Sequence, residues 1–286
     1  MIDYKLLFLG TAASAFSKKR NPTSMVLIVE GRGILLDCGP GATRRLVEND
    51  VDLTTIDTVF ISHGHNDHLI GITTFLWQNW LAHRRKNPLE IIAPGYVISR
   101  IDELLKLTNT PAGIPEFELN KINIDDHEDS PDVQKIARNF HLDHDKCGDK
   151  SAIQVTWTTA RGKHDPDSYA IRVNLHEGGK QLVSFCYSAD TSPQARVSRL
   201  AKDVTYLIHE ATFLEEKREL ANTYNHSTPM GAAKIATAAN AKNLILVHYS
   251  NTIEGKEEEM EKEARDFFEG NVIIANDGLE IRSPGN

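Results

Sequence analysis

The chain has little of what would mark a secreted or membrane protein. Its 286 residues include three cysteines, Cys38, Cys147 and Cys186, which are odd in number and far apart. They argue against a disulfide framework or a cysteine-based zinc site, and they fit a reducing cytoplasm. No apolar run approaches the roughly 18 residues of a membrane span, and the N-terminal Met-Ile-Asp-Tyr-Lys shows no signal-peptide pattern. We therefore expect a cytoplasmic protein without a membrane partner.

Positive charge is outnumbered by negative charge, with 32 lysine and arginine residues against 40 aspartate and glutamate residues, so the formal net charge is −8. Nucleic-acid binding depends on neutralising phosphates, so this balance lowers the expectation of a nucleic-acid substrate without excluding it. Two short basic runs, residues 18–20 and 84–86, are local exceptions, although such runs are more typical of a solvated surface. The 40% hydrophobic and 25% charged residues are those of an ordinary globular protein.

Internal repeats and low-complexity linkers are absent from the sequence, and strand-like and helix-like segments alternate along it. This alternation predicts a layered α/β fold in one domain spanning residues 1–286. The pattern weakens over residues 110–150, which we interpret as an insertion rather than a domain boundary. A polar cluster inside it, His141–Asp145, could bind metal but is more typical of a solvated loop.

The most informative segment is residues 63–68, which read His-Gly-His-Asn-Asp-His and follow a short apolar run at 58–61. Neutral imidazole and carboxylate are the ligands that suit zinc and related divalent ions. His63 and His65 could share one ion, while the adjacent Asp67 and His68 could serve a second. The alternative, a polar loop that is rich in histidine by chance, explains this density of ligands poorly. The segment predicts a metal site.

More ligands are needed, because a hydrolytic metal ion takes three or four protein ligands and an open position for water. Three residues at strand boundaries are candidates: His164 before the strand-like run 169–175, Asp190 after the apolar run 182–186, and His248 after the run 244–247. A carboxylate such as that of Asp190 could bridge two cations. Each residue alone is more typical of a capping aspartate or a structural histidine, and its spacing by itself does not select it as a ligand.

Several motifs in sequence order resemble the metallo-β-lactamase superfamily, whose signature is His-x-His-x-Asp-His after a buried strand, and within it the ribonuclease Z branch. The loop 18–21 is similar to that branch's Pro-x-Lys-x-Arg-Asn loop, with Phe16 where proline is expected. His164 precedes a partial match to a Gly-Tyr-Arg strand. The remaining matches are Leu9–Thr11, Leu36–Gly41, Ser188–Thr191, His209–Phe213, His226–Thr228 and His248–Ser250.

This resemblance implies a four-layer αββα sandwich that holds two divalent metal ions, zinc in the first instance, with manganese, iron and cobalt also compatible. One ion would be bound by His63, His65 and His164, and the other by Asp67, His68 and His248. Asp190 and a hydroxide would bridge them. Asp37 would accept a hydrogen bond from a ligand imidazole and fix its tautomer, although from the sequence alone it could be a turn-forming aspartate.

The resemblance also implies the chemistry. The bridging hydroxide would attack the phosphorus of a phosphodiester, His226 would protonate the leaving group, and Glu210 would keep His226 protonated. Asp67 is also a catalytic candidate, and Lys18, Arg20 and Asn21 are candidate substrate contacts. An exposed position beside a helix start is the alternative for His226. Arylsulfatase-like or lactonase-like hydrolysis of a small ester is the alternative reaction, and a non-catalytic metal-binding protein fits least.

One feature of the ribonuclease Z branch is missing. Its long basic arm would lie between the strand after the third metal histidine and the bridging aspartate, where this chain has only residues 173–189 with Glu177-Gly178-Gly179. We therefore expect a phosphodiester substrate, which includes RNA, without assigning pre-tRNA. A homodimer is expected from the resemblance alone.

Overall fold

The structure, a computed structural model, describes residues 2–110, 116–127, 134–136 and 153–284. Most of the predicted insertion, including His141–Asp145 and Cys147, lies outside these residues. The chain divides into two compact units. We call residues 3–126 and 276–286 the N-terminal unit, and residues 1–2 and 127–275 the C-terminal unit.

The strands and helices alternate through most of the described chain. The strands are β1 (Tyr4–Gly10), β2 (Ser24–Val29), β3 (Arg32–Leu36), β4 (Ile56–Phe60), β5 (Leu89–Ala93), β6 (Leu119–Asn123), β7 (Gln134–Ile136), β8 (Ile153–Arg161), β9 (Tyr169–Glu177), β10 (Lys180–Tyr187), β11 (Tyr206–Glu210), β12 (Asn243–Val247), β13 (Asn271–Ile274) and β14 (Glu280–Arg282). The helices are α1 (Ala42–Glu48), α2 (Asn66–Leu69), α3 (Gly71–Leu81), α4 (Gly95–Leu107), α5 (Ala195–Leu200), α6 (Arg218–Thr223), α7 (Pro229–Ala238) and α8 (Glu257–Arg265). The predicted α/β class is confirmed.

The N-terminal unit is built on a seven-stranded sheet with the order β14-β1-β2-β3-β4-β5-β6. The pairs from β3 to β6 are parallel, while the others are antiparallel. Alternate side chains of a strand share a face, and one face packs against α1, α3 and α4 in a core that includes Val59, Leu46, Phe75 and Val97. Because β4 is central and parallel to β3 and β5, its carboxyl end is held on both sides.

The C-terminal unit has a second seven-stranded sheet, with the order β13-β12-β11-β10-β9-β8-β7. The strands β10 to β13 are parallel to one another, and β7 to β10 are antiparallel. Helices α5, α7 and α8 cover one face through small and branched side chains such as Val197, Ala233 and Ala264. The carboxyl ends of β10, β11 and β12 therefore lie side by side at one edge of this sheet.

The connection between β9 and β10 is a tight hairpin. Only Gly178 and Gly179 separate the two strands, and both have positive φ angles, 59° and 79°. A two-residue hairpin turn commonly needs positive φ, which glycine adopts without a Cβ clash. The structure thus has a short turn where the ribonuclease Z branch would have its arm.

The sequence pattern of residues 69–86 predicts one helix, but the structure forms a shorter element there. Helix α3 ends at Leu81, and Arg84 has a φ of 47°, a left-handed conformation that cannot continue a helix. Within the basic run 84–86, the guanidinium of Arg85 is buried and donates to the carbonyls of Asn87 and Pro88 at 2.8 and 2.7 Å. None of the described helices is both long and apolar enough to cross a membrane.

Candidate metal-binding groups

In the N-terminal unit, the carboxyl end of β4 delivers the histidine-rich segment. Ile61 and Ser62 are fully buried after β4, and the chain then turns into α2, which begins at Asn66. Asp67 and His68 lie in the first turn of this helix and are buried, as is His63. The short helix thereby brings the second half of the segment back toward the first. We call His63, His65, Asp67 and His68 the N-terminal ligand group.

Asp37 organises this group from the end of the neighbouring strand β3. One carboxylate oxygen accepts from the backbone N–H of Ser62 at 2.7 Å, and the other lies 2.9 Å from Ser62 Oγ and 2.7 Å from His68 Nδ1. Asp37 is fully buried and has a φ of 56°. An imidazole that donates from Nδ1 to a carboxylate presents the lone pair of Nε2. The structure therefore orients His68 so that its Nε2 atom could bind a metal ion.

Ser62 extends this arrangement to the next histidine. Its hydroxyl donates to Asp37 and, 3.0 Å away, can accept from Nδ1 of His63, which leaves His63 Nε2 unprotonated. That atom lies 3.1 Å from Nδ1 of His65. Two nitrogens of a tetrahedral zinc site with Zn–N bonds of about 2.0–2.1 Å are roughly 3.3 Å apart. The spacing of the two imidazoles thus fits a shared metal ion.

The C-terminal unit places a second set of ligand types at the edge where β10, β11 and β12 end. Asp190 follows β10, Glu210 ends β11, and His248 follows β12 with a φ of 62°. His164 lies in the loop before β9, and His226 lies just before α7. We call His164, Asp190 and His248 the C-terminal ligand group.

Asp190 lies between the two histidines of this group. Its Oδ2 atom is 3.2 Å from Nε2 of His248 and 3.8 Å from Nε2 of His164. All three side chains are buried. Burial lowers the pKa of His164, although Asp190 opposes this shift, so the imidazole is held neutral, the form that binds metal. Neutral imidazole nitrogens around a carboxylate oxygen are a donor set suited to divalent cations.

Glu210 is the centre of the hydrogen bonds around this group. It is fully buried, and its Oε1 accepts from the backbone N–H of Thr191 at 2.9 Å and lies 2.8 Å from His226 Nδ1. Its Oε2 accepts from Thr212 Oγ1 at 2.7 Å and from the N–H of Ser227 at 3.0 Å. Burial raises the pKa of Glu210, but the charge and hydrogen bond of His226 outweigh it, so the pKa is lowered and the group is a carboxylate.

Thr212 connects Glu210 to His248. Its hydroxyl donates to Glu210 and lies 2.8 Å from Nδ1 of His248, so it accepts the Nδ1 proton and leaves Nε2 of His248 for a ligand. The neighbouring His209 is also fully buried, but its Nδ1 lies 2.8 Å from the carbonyl of Glu210, and burial lowers its pKa. The structure does not place His209 among the ligands.

Sequence reasoning did not single out Ser62 or Thr212 as functional residues. Ser62 directly precedes the segment 63–68, and Thr212 lies inside the motif His209–Phe213, two residues after Glu210. The signal available was a hydroxyl residue beside a candidate ligand, which is too common to be selective without the geometry.

The residues of the predicted substrate-binding loop, 18–21, differ in their exposure to solvent. Lys18 is exposed, whereas Arg20 is only 6% exposed. The Arg20 guanidinium donates to Thr11 Oγ1 at 2.7 Å and to Asn276 Oδ1 at 2.8 Å. Asn21 donates from Nδ2 to Asp277 at 3.0 Å. Arg20 and Asn21 thus tie the loop to residues 276–277 of their own unit, and a role in substrate binding stays a prediction.

Comparison with known proteins places these groups in a family. A family profile described as "Anti-Pycsar protein Apyc1" matches residues 4–272. The ribonuclease Z of Bacillus subtilis (strain 168) is 31% identical over 312 residues, covering 98% of this chain and 99% of the relative. The crystal structure of human tRNase Z, short form, aligns with a TM-score of 0.73 and 24% identity over 97% of this chain and 98% of its own. That of the metallo-β-lactamase fold protein YhfI from Bacillus subtilis aligns with a TM-score of 0.76 and 20% identity over 98% and 100%.

The likeness to these structures confirms the predicted metallo-β-lactamase fold, and the ribonuclease Z relatives confirm the resemblance drawn from the motifs. The chain is thus a metal-dependent, endoribonuclease-like hydrolase with the metallo-β-lactamase fold. It belongs to the family described as Anti-Pycsar protein Apyc1.

Proposed function

We propose that this protein is a two-metal phosphodiesterase in which His226 protonates the leaving group. The pairing of His226 with the buried carboxylate of Glu210, at 2.8 Å, carries the proposal. Hydrolysis of a lactam or lactone does not demand such a pair, whereas an alkoxide leaving a phosphodiester benefits from a positioned acid.

The metal ions would be held by the N-terminal ligand group (His63, His65, Asp67 and His68) and the C-terminal ligand group (His164, Asp190 and His248). Zinc is the first choice for imidazole and carboxylate ligands, and manganese, iron and cobalt also fit. When bound, the cations would supply an activated water and stabilise charge on the phosphoryl oxygens. Asp37, through Ser62 and His68, and Thr212, through His248, would keep the ligand imidazoles oriented.

His226 would act through its Nε2 atom. Because its Nδ1 proton is donated to Glu210, the second ring nitrogen can carry a proton toward a leaving oxygen while Glu210 stabilises the imidazolium. Its ring centroid lies 4.9 Å from that of His164 and 5.4 Å from that of His248. This proximity keeps the proposed proton donor at the C-terminal ligand group.

We propose a small nucleotide diester, rather than pre-tRNA, as the preferred substrate. The two-residue turn between β9 and β10 offers no arm that could reach across a tRNA, and the net charge of −8 opposes broad contact with phosphates. We also propose a cytoplasmic location, which the three widely spaced cysteines support. A homodimer is proposed from the resemblance alone.

The test is a comparison of two substrates under one metal load. Purified protein reconstituted with zinc or manganese is given labelled pre-tRNA in one assay and bis(p-nitrophenyl) phosphate in another. Turnover of the diester with weak, unspecific cleavage of pre-tRNA is the expected result. Accurate 3′ trimming of pre-tRNA at low enzyme concentration would restore the tRNA role. Turnover confined to aryl sulfates or lactones would overturn the phosphodiesterase proposal.

A further inference from the structure

A cavity of about 350 Å³ lies directly beside the histidine-rich segment within the N-terminal unit. Its floor and walls come from α2 and α4, with Gly64 at the end nearest the ligands His63 and His65. Binding sites for small organic ligands typically have volumes of about 300–1,000 Å³, and this cavity lies at the lower end of that range. The residues that define its chemistry are Leu69, Ile70, Leu104, Leu107, Arg100 and Glu103.

The wall at Gly64 is fixed by α4. Tyr96 Oη accepts from the N–H of Gly64 at 3.0 Å, and Arg100 Nη1 donates to its carbonyl at 3.0 Å. The Arg100 guanidinium lies over the Tyr96 ring, 5.1 Å from its centroid. A Cβ atom at residue 64 would come within 2.3 Å of Arg100 Nη1, so a larger residue there would displace the guanidinium from this position. The backbone N–H and the carbonyl of Gly64, the residue between His63 and His65, are thus both hydrogen-bonded to side chains of α4.

The lining combines an apolar surface with a donor and an acceptor. Leucine and isoleucine supply four of its eight lining residues, and Leu107 is 77% exposed at the rim. A guanidinium has several N–H donors, of which the bond to Gly64 uses one, and the Glu103 carboxylate accepts. An aromatic ring with hydrogen-bonding edges matches this combination.

We propose that this cavity binds the nucleobase of the substrate, on the side of the phosphodiester that is not the leaving group. The ring would stack on the leucine side chains, and Arg100 and Glu103 would contact its polar edge. Gly64, which lines the cavity, lies between His63 and His65 in the sequence. A base bound in the cavity would therefore place the phosphate of the substrate next to the N-terminal ligand group. This inference rests on the proposed phosphodiesterase function and adds a specificity site to it.

The test uses two esters with the same leaving group: p-nitrophenyl thymidine 5′-phosphate, which carries a base, and methyl p-nitrophenyl phosphate, which does not. Metal-loaded wild type should prefer the thymidine ester by at least about tenfold in kcat/KM. Leu107→Asp adds a charge at an exposed position of the rim, so it should lower that ratio about fivefold or more through KM and leave the methyl ester unchanged. Leu81→Asp, the same change at an exposed leucine outside the cavity, should alter neither rate.

Equal rates for the two esters in wild type would overturn the assignment, as would an effect of Leu107→Asp on both esters or on neither. If neither ester is hydrolysed, the proposed reaction fails, and binding of thymidine 5′-monophosphate by calorimetry decides the cavity separately. Binding that Leu107→Asp weakens and Leu81→Asp does not would retain the base site. Equal binding to all three proteins, or none, would remove it.

Discussion

Oε1 of Glu210 lies 2.8 Å from Nδ1 of His226. The carboxylate is fully buried, whereas the imidazole is partly exposed to solvent. A buried carboxylate that accepts an Nδ1 proton orients the ring and stabilises its protonated form. Glu210 also accepts hydrogen bonds from the backbone at Thr191 and Ser227. The proposed proton donor is thus hydrogen-bonded to the same residue that holds the loops around the candidate metal ligands.

His226→Ala should slow a diester with an alkoxide leaving group far more than one with p-nitrophenolate. An alkoxide is the stronger base and needs protonation as it leaves, so the loss should be about 100- to 10,000-fold for an alkyl diester. The p-nitrophenyl ester should lose much less. The ratio of the two kcat values in wild type and variant gives the answer, and an equal loss for both esters would assign His226 to substrate binding instead.

Thr212→Val should weaken metal binding while Thr212→Ser should not. Valine keeps the shape of threonine but removes the hydroxyl that accepts from His248 Nδ1. Loss of such a partner typically lowers metal affinity by about 10- to 100-fold. Competition with a chromophoric chelator measures this affinity in all three proteins. Unchanged affinity in Thr212→Val would show that the hydroxyl does not orient His248 for a metal.

Arg20 and Lys18 should differ in what their removal changes. Arg20→Ala removes the guanidinium that donates to the buried hydroxyl of Thr11 and to the amide oxygen of Asn276, and we expect a loss of about 1–3 kcal/mol in the free energy of unfolding. Lys18→Ala, at an exposed position, should raise KM and reduce its salt dependence if Lys18 contacts phosphate. Denaturant melts and KM at two ionic strengths separate the two effects. A higher KM with unchanged stability in Arg20→Ala would return Arg20 to the substrate site.

Glu263 gives a pH dependence of stability with a defined sign. Burial raises its pKa, and the carboxylates of Glu215, Glu259 and Glu216 add to this, against a backbone hydrogen bond from Glu215. Because the folded state holds the proton more tightly, this contribution is full below the ordinary pKa of about 4.5 and is lost as pH rises through the raised value.

Glu263→Gln should therefore gain stability relative to wild type between about pH 4.5 and 7.5. The group is partly exposed, so the gain should stay below about 1 kcal/mol. Tm differences between variant and wild type at the two pH values measure it, with Glu258→Gln, at an exposed position of the same helix α8, as the control. A constant difference across this range would contradict the raised pKa.

Much of the fold could be predicted because apolar periodicity and buried runs are local properties. The runs that became β1, β4 and β12 are continuous and short, which is typical of strands buried on both faces. Helix α3 was predicted too long because nothing in residues 82–86 shows that Arg84 adopts a left-handed conformation. The short β14 pairs with β1 across most of the chain length, and pairing at such a distance leaves no signal in a local window.

Part of the candidate site could likewise be predicted from the sequence alone, and part could not. His63–His68 stands out because four ligands lie within six residues, whereas His164, Asp190 and His248 needed the motif resemblance to be selected. Arg20 looked like a phosphate contact by its charge, but the structure shows its guanidinium buried against Thr11 and Asn276. Burial of a charged side chain depends on tertiary partners, here 256 residues away, that no local pattern shows.

The most direct test of the two-metal phosphodiesterase is a metal titration of activity. Protein stripped with a chelator receives increasing zinc or manganese, and hydrolysis of bis(p-nitrophenyl) phosphate is measured at each addition. The rate should be negligible without metal, rise with each addition and level off at about two equivalents per chain. No hydrolysis at any metal-to-protein ratio, or a rate that survives removal of the metal, would contradict the proposal.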